Sequence, residues 1–176
     1  MKIVIINGTG GAGKDTFVTM CKDILGTEYV YNISTVDFVK EVATLCGWDG
    51  TKTPKNRKFL SDLKDLLTEW DDIPLKKVVA NVTACAAYAE DSSTIDESIV
   101  FIHCREPKEI EKLVHQFKDY ATTLLIRRDV AEAVTQINHA DNDVLNYPYD
   151  YAIDNNGSLS ALRAKAAMFL REVSTT

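Results

Sequence analysis

Ile3-Val4-Ile5-Ile6-Asn7-Gly8-Thr9-Gly10-Gly11-Ala12-Gly13-Lys14-Asp15-Thr16 decides how the rest of the chain is read. The run Ile3–Ile6 predicts a buried strand, and a helical pattern opens at Lys14. Between them the spacing G-x-x-x-x-G-K fits a Walker A phosphate loop, in which glycines let backbone N–H groups turn inward around an anion. The helix N-terminus adds its own unpaired N–H groups and the positive end of its dipole. One position departs from the motif. Asp15 stands where Ser or Thr normally follows the lysine, with Thr16 one place later.

Composition sets the bounds around this loop. The 176 residues suffice for one domain with a proper core. They are 45% hydrophobic and 26% charged, an ordinary mixture for a soluble globular protein. The net charge of −6 argues against a nucleic-acid-binding surface, which needs clustered cations. A nucleotide pocket with a few arginines in one cleft is still compatible with it. The first strand begins almost at Met1 and no apolar run is long enough to span a bilayer, so neither signal peptide nor membrane is expected. Cys21, Cys46, Cys85 and Cys104 form no C-x-x-C pair. They suit reduced, mostly buried thiols, and a cytoplasmic location is expected.

Five β-like runs alternate with helical patterns, which predicts an α/β domain with a mostly parallel sheet. The runs are Lys2–Ile6, Tyr29–Ile33, Ile99–Cys104, Thr122–Ile126 and Tyr149–Ile153. Helices are expected over Lys14–Leu25 with Gly26 as C-cap, over Asp37–Cys46 closed by Gly47, and from Phe59 through the spacing Leu60, Leu63, Leu66 and Leu67. Trp48–Arg57, with Gly50 and Pro54, reads as a surface loop. Asp71-Asp72-Ile73-Pro74 breaks one helix and starts the next, over Leu75–Glu90. A helix after Pro107 carries Ile110, Leu113, Val114 and Phe117 on one face. A last one, Ser158–Val173, is capped by Ser158 and aligns Leu159, Leu162, Ala166, Phe169 and Leu170. Residues 34–98 are far more than one crossover needs, and a substrate-binding excursion is expected there within a single domain.

The phosphate loop with K-x-T, the long helical insertion after the second strand and the short segment after the fourth together resemble the nucleoside monophosphate kinases. The form G-K-D-T is similar to phage-type deoxynucleoside monophosphate kinases and their bacterial relatives. So are Arg57–Lys64 after the insertion loop, Arg105–Lys108–Glu109 at the end of the third strand, and Tyr149–Ser158. The resemblance implies a three-layer phosphate-loop kinase fold with 34–98 as the monophosphate-binding insertion and about 128–148 as a short lid. It implies ATP as co-substrate with Mg²⁺, a nucleoside monophosphate as acceptor, and a homodimer.

On that resemblance Gly8, Gly10, Gly11, Ala12 and Gly13 would wrap the ATP phosphates, and Lys14 would offset charge on the transferring group. Asp15 is either a Mg²⁺ ligand, directly or through water, or an acid favoured by the helix dipole. Thr16 would bond a phosphate or share the metal. No Walker B acid ends an apolar run, since the third strand closes on His103-Cys104-Arg105; this speaks against motor ATPases. Arg is the residue for forked phosphate contacts, and four of six arginines fall at a strand end or beside the insertion. Arg57 and Arg105 would hold the acceptor phosphate, while Arg127 and Arg128 would brace the ATP phosphates. Glu109 would either face the nucleobase or be a plain helix-start acid. Trp48 and Trp70 are candidates for base stacking or for core. His103, His115 and His139 share no metal or triad spacing, so no chemistry is expected of them. The alternatives are a kinase of another phosphorylated small molecule, of the dephospho-coenzyme A or phosphomevalonate type, and a catalytically silent nucleotide-binding regulator.

Overall fold

A computed structural model describes residues 1–130 and 144–175. The strands are β1 (Lys2–Asn7), β2 (Val30–Ser34), β3 (Ile99–His103), β4 (Ala121–Arg127) and β5 (Tyr151–Asp154). They form one sheet in the order β2-β3-β1-β4-β5. Every pairing is parallel. Six α-helices accompany them among the described residues: α1 (Lys14–Leu25), α2 (Asp37–Leu45), α3 (Pro54–Asp71), α4 (Ile73–Asp91), α5 (Pro107–Phe117) and α6 (Leu159–Thr175).

Side-chain alternation along the strands feeds two cores. Val4, Ile6, Ile99, Phe101, Leu124 and Ile126 face α1 and α6, meeting Phe17, Val18, Leu162, Phe169 and Leu170. Phe17 anchors that layer edge-on to Phe101 (6.3 Å) and Phe169 (5.7 Å). Ile3, Ile5, Val100 and Ile102 face the other way, onto Val78 and Val82 of α4 and Ile110 and Leu113 of α5. Covered on both faces, β1 and β3 can be apolar at every step, as parallel strands between helices are. That explains why Ile3–Ile6 shows no polar alternation.

The chain leaves β1 toward β2 on one side of the sheet, and leaves β3 for β4 on the other. This reversal opens a crevice at the carboxyl ends of β1 and β3, the place where open α/β sheets bind ligands. The phosphate-loop sequence lies there.

Several boundaries differ from the sequence reading. α3 begins at Pro54, not beyond Arg57, because Thr53 caps it by accepting from the Asn56 N–H and proline suits the first helical position. β5 begins at Tyr151, since Asp150 is already engaged with Thr123 of β4. Phe59, Leu66 and Leu159 keep the expected helical spacing but are exposed. The Ser158 cap is present, accepting from the Ala161 N–H. Of the four thiols, Cys21 and Cys104 are buried, Cys85 is partly covered and Cys46 is exposed. No helix among the described residues is long and apolar enough to cross a membrane. Most of the expected lid, residues 131–143, lies outside the described residues.

Candidate phosphate-binding site

The loop after β1 is held from three sides. Asn7 is wholly buried; its Oδ1 accepts from the Gly8 N–H (2.8 Å), and its Nδ2 donates to the Arg105 carbonyl (3.0 Å) and the Tyr149 hydroxyl (2.7 Å). Burial pushes the Tyr149 phenol up to about 12, so it stays protonated and donates onward to the Val144 carbonyl (2.8 Å). Beyond β5, Asn155 donates from its backbone to the Arg127 carbonyl (2.7 Å) and from Nδ2 to the Ala12 carbonyl (2.8 Å). The loop thus sits across the ends of β1, β3, β4 and β5.

Two glycines are required by this crowding. At Gly8 (φ +150°) a Cβ would lie 2.4 Å from the Ile126 carbonyl oxygen. At Gly13 (φ +97°), which leads into α1, it would lie 2.4 Å from Asn155 Nδ2. Gly10 has open space around its Cβ position. Lys14 curls over the loop and donates to the carbonyls of Gly8 (2.6 Å) and Thr9 (3.0 Å). The Thr9 hydroxyl is buried within the loop and has no hydrogen-bond partner.

His103, of which no chemistry was expected, closes β3 beside this loop. Its Nε2 lies 2.8 Å from Asn32 Oδ1 and 3.8 Å from Asp15 Oδ1. Burial holds its pKa below the ordinary value; Asp15 and Asp37 work against that shift, Lys14 and Lys40 with it. The neutral ring with its proton on Nε2 donates to Asn32. Asp37, whose Oδ2 accepts from the Ser34 N–H, completes a polar ring at the ends of β1, β2 and β3. These neighbours arrive from β2, α1 and α2, and no spacing in the sequence announces them.

The arginines take different positions. Arg105 follows β3, with its backbone pinned by Asn7. Arg127 ends β4 and Arg128 follows it; both are exposed. Arg57 is exposed in the first turn of α3. Asp15 and Thr16 are exposed in the first turn of α1, the Asp15 side chain by 95%. Glu109, read from the sequence as either a base contact or a helix-start acid, has its carboxylate turned onto Lys64 and Cys104. It is 4% exposed, and its Oε2 accepts from Lys64 (2.9 Å) and from the Cys104 thiol (3.6 Å). Burial raises the Glu109 pKa against the pull of Lys64. Burial also opposes the charge on Lys64, but Glu109 and Glu106 more than offset it, so that amine is held above its usual value. Trp70 is 81% exposed, and Trp48 donates to the Thr51 carbonyl (3.1 Å); neither is core. An open groove of about 360 Å³ beside Lys2, Thr122 and Tyr151 lies at the opposite end of the strands, away from these groups.

No family model and no curated protein matches the sequence. Solved structures do. An APS kinase of Mycobacterium tuberculosis has TM-score 0.50 and 11% identity, over 97% of this chain and 96% of that one. A thymidylate kinase of Ehrlichia chaffeensis has TM-score 0.50 and 13% identity, over 96% and 98%. At such identities the likeness concerns the fold, and the fold is the α/β fold of phosphate-loop kinases.

Two outcomes follow from the geometry. Gly8→Ala should cost about 1–3 kcal/mol in urea denaturation through backbone strain and collision with β4. Gly10→Ala should stay within about 0.5 kcal/mol. For His103 the folded pKa is depressed below the ordinary 6.5. Its contribution to stability is therefore present above that value and lost as pH falls through the folded pKa. The urea midpoint of His103→Gln should fall less between pH 7.5 and 5.5 than that of the wild type; equal slopes would mean that His103 titrates alike in both states.

Proposed function

We propose that this chain transfers the γ-phosphoryl group of ATP to a nucleoside monophosphate, giving the diphosphate. The reading is carried by one observation. Lys14 is folded over a glycine loop held to the same strand ends that present Arg105 and Arg127. An anion in the loop would meet its N–H groups, the α1 dipole, Lys14 and the spare Thr9 hydroxyl. The acceptor would bind toward Arg57 and Arg105, and Arg127 and Arg128 would brace the donor phosphates.

A phosphate oxygen is already a competent nucleophile, so in-line transfer needs no general base. Catalysis is then positioning and charge compensation at the phosphoryl group in transit. Asp15 and Thr16 suit magnesium, which takes oxygen donors from few side chains and keeps much of its water. Both are exposed at the loop, and these two would hold the ion. When bound, it shares the negative charge of the phosphates. Glu109 enters through Lys64 and not by touching the base.

A second reading draws on His103. A neutral imidazole beside Lys14 and Asp15 could serve as base for a hydroxyl acceptor, as a dephospho-coenzyme A type of substrate would require. An ADP-release assay over ribo- and deoxynucleoside monophosphates, dephospho-coenzyme A and phosphomevalonate separates the two. Turnover is expected with a nucleoside monophosphate, and silence with every nucleotide overturns the lead reading. Lys14→Met should lose about 10²–10³-fold in kcat. Arg57→Ala should raise the acceptor KM about ten- to a hundredfold, as loss of a charged hydrogen bond does.

We also take the active species to be a homodimer. Phe59, Leu66 and Trp70 recur at i, i+7 and i+11 on α3, forming an exposed apolar stripe. Lys55 and Lys58 lie near its start, Asp65 and Glu69 near its end. Two copies packed antiparallel would set basic turns against acidic ones, as a two-fold interface demands. Light scattering should give twice the chain mass for wild type and the single mass for Trp70→Glu.

A further inference from the structure

α3 half-buries Leu60, Leu63 and Leu67, but its one fully buried side chain is charged, where the other helices fully bury apolar ones. Of its 18 residues, Lys64 alone is buried. Its ammonium donates to Glu106 Oε1 (2.5 Å) and Glu109 Oε2 (2.9 Å), at the corner where β3 passes into α5. Glu109 is spent on Lys64 and Cys104, whereas Glu106 is half exposed at its carboxylate. Glu106 is also the neighbour of Arg105, whose carbonyl Asn7 holds.

The spacing of α3 extends this contact to Arg57. Seven residues span two turns with an offset of about 20°, so Arg57 shares the face of Lys64 about 10 Å along the axis. Because Lys64 points into the β3–α5 corner, the face carrying Arg57 lies on the side of α3 nearest that corner, which Arg105 precedes in the chain. Phe59, Leu66 and Trp70 occupy the opposite face and are exposed.

We propose that Lys64 is the positioning residue of the acceptor side. By clamping Glu106 and Glu109 it fixes the height and rotation of α3, so that Arg57 and Arg105 converge on one phosphate dianion. The proposal rests on the acceptor reading above for its ligand, but the clamp is a property of the chain itself.

The test combines steady-state kinetics with amide hydrogen exchange. Lys64→Met alone would strand the buried Glu109 carboxylate and risks unfolding. The informative variants are therefore Lys64→Met/Glu109→Gln, which removes both buried charges, and Glu106→Gln, which weakens the clamp from its exposed side. In the double variant the acceptor KM should rise at least tenfold while the ATP KM stays within twofold. Exchange should quicken over residues 54–71 and not in β1 or β3. Glu106→Gln should move the acceptor KM severalfold in the same direction, and Lys64→Arg should recover most of the wild-type value. An equal rise in both KM values with a lowered melting temperature would assign Lys64 a purely structural role and overturn the proposal. Unchanged exchange in α3, or quickened exchange with an unchanged acceptor KM, would also overturn it. Absence of turnover of any nucleoside monophosphate by the wild type would sink the functional reading instead; exchange over 54–71 would still decide the clamp.

Discussion

The buried amide of Asn7 makes three distant parts of the chain agree with one another. Its oxygen takes the first N–H of the glycine loop, and its nitrogen reaches the backbone at Arg105 and the hydroxyl of Tyr149. An amide this deep costs about 1–3 kcal/mol for each unmet group. Arrangements of the loop, the β3 terminus and the approach to β5 that fail to serve all three contacts are therefore disfavoured together. The parallel sheet brings these ends side by side, and Asn7 sets their relative height. Asn155 does the same from β5, with one bond to the loop and one to the end of β4.

Beyond that ring of strand ends, the molecule uses two kinds of attachment. α1, α4, α5 and α6 are seated on the sheet by apolar side chains, whose burial is strong and tolerant of direction. α3 is polar, and the residue it buries is a lysine. A buried ion pair is often no more stabilising than an apolar contact of the same size, because desolvation offsets much of the attraction. It is directional, however, and a helix carrying a candidate ligand side chain has more use for orientation than for area. The amine of Lys64 and the thiol of Cys104 donate the hydrogen bonds that make burial of Glu109 tolerable, and Glu106 takes a second bond from the same amine.

Much of the architecture was legible in the residues. The uninterrupted apolar runs of β1 and β3 announced strands covered on both sides, and Gly26 and Ser158 marked helix ends by their capping chemistry. The misreadings have local causes. Thr53-Pro54 is a capping pair, but its polar, glycine-bearing surroundings read as loop. Leu66 and Leu159 fit a helical period without being buried, because periodicity gives a face and not what lies against it. Glu109 illustrates the same gap. An acid in the first turn of a helix suits the dipole, and nothing in its sequence neighbourhood points to Lys64, 45 residues away.

The sequence by itself determined the α/β alternation, the glycine loop and the lysine within it, since these depend on local backbone conformation and on apolar runs. It also placed arginines near strand ends, because strand ends are visible as the limits of those runs. Only the tertiary structure decided that His103 belongs with Asp15 and Lys14, that Asn7 and Asn155 suspend the loop, and that Lys64 holds α3. Those contacts join residues from separate strands and helices, and their chemistry is set by burial and by neighbours that parallel pairing brings together.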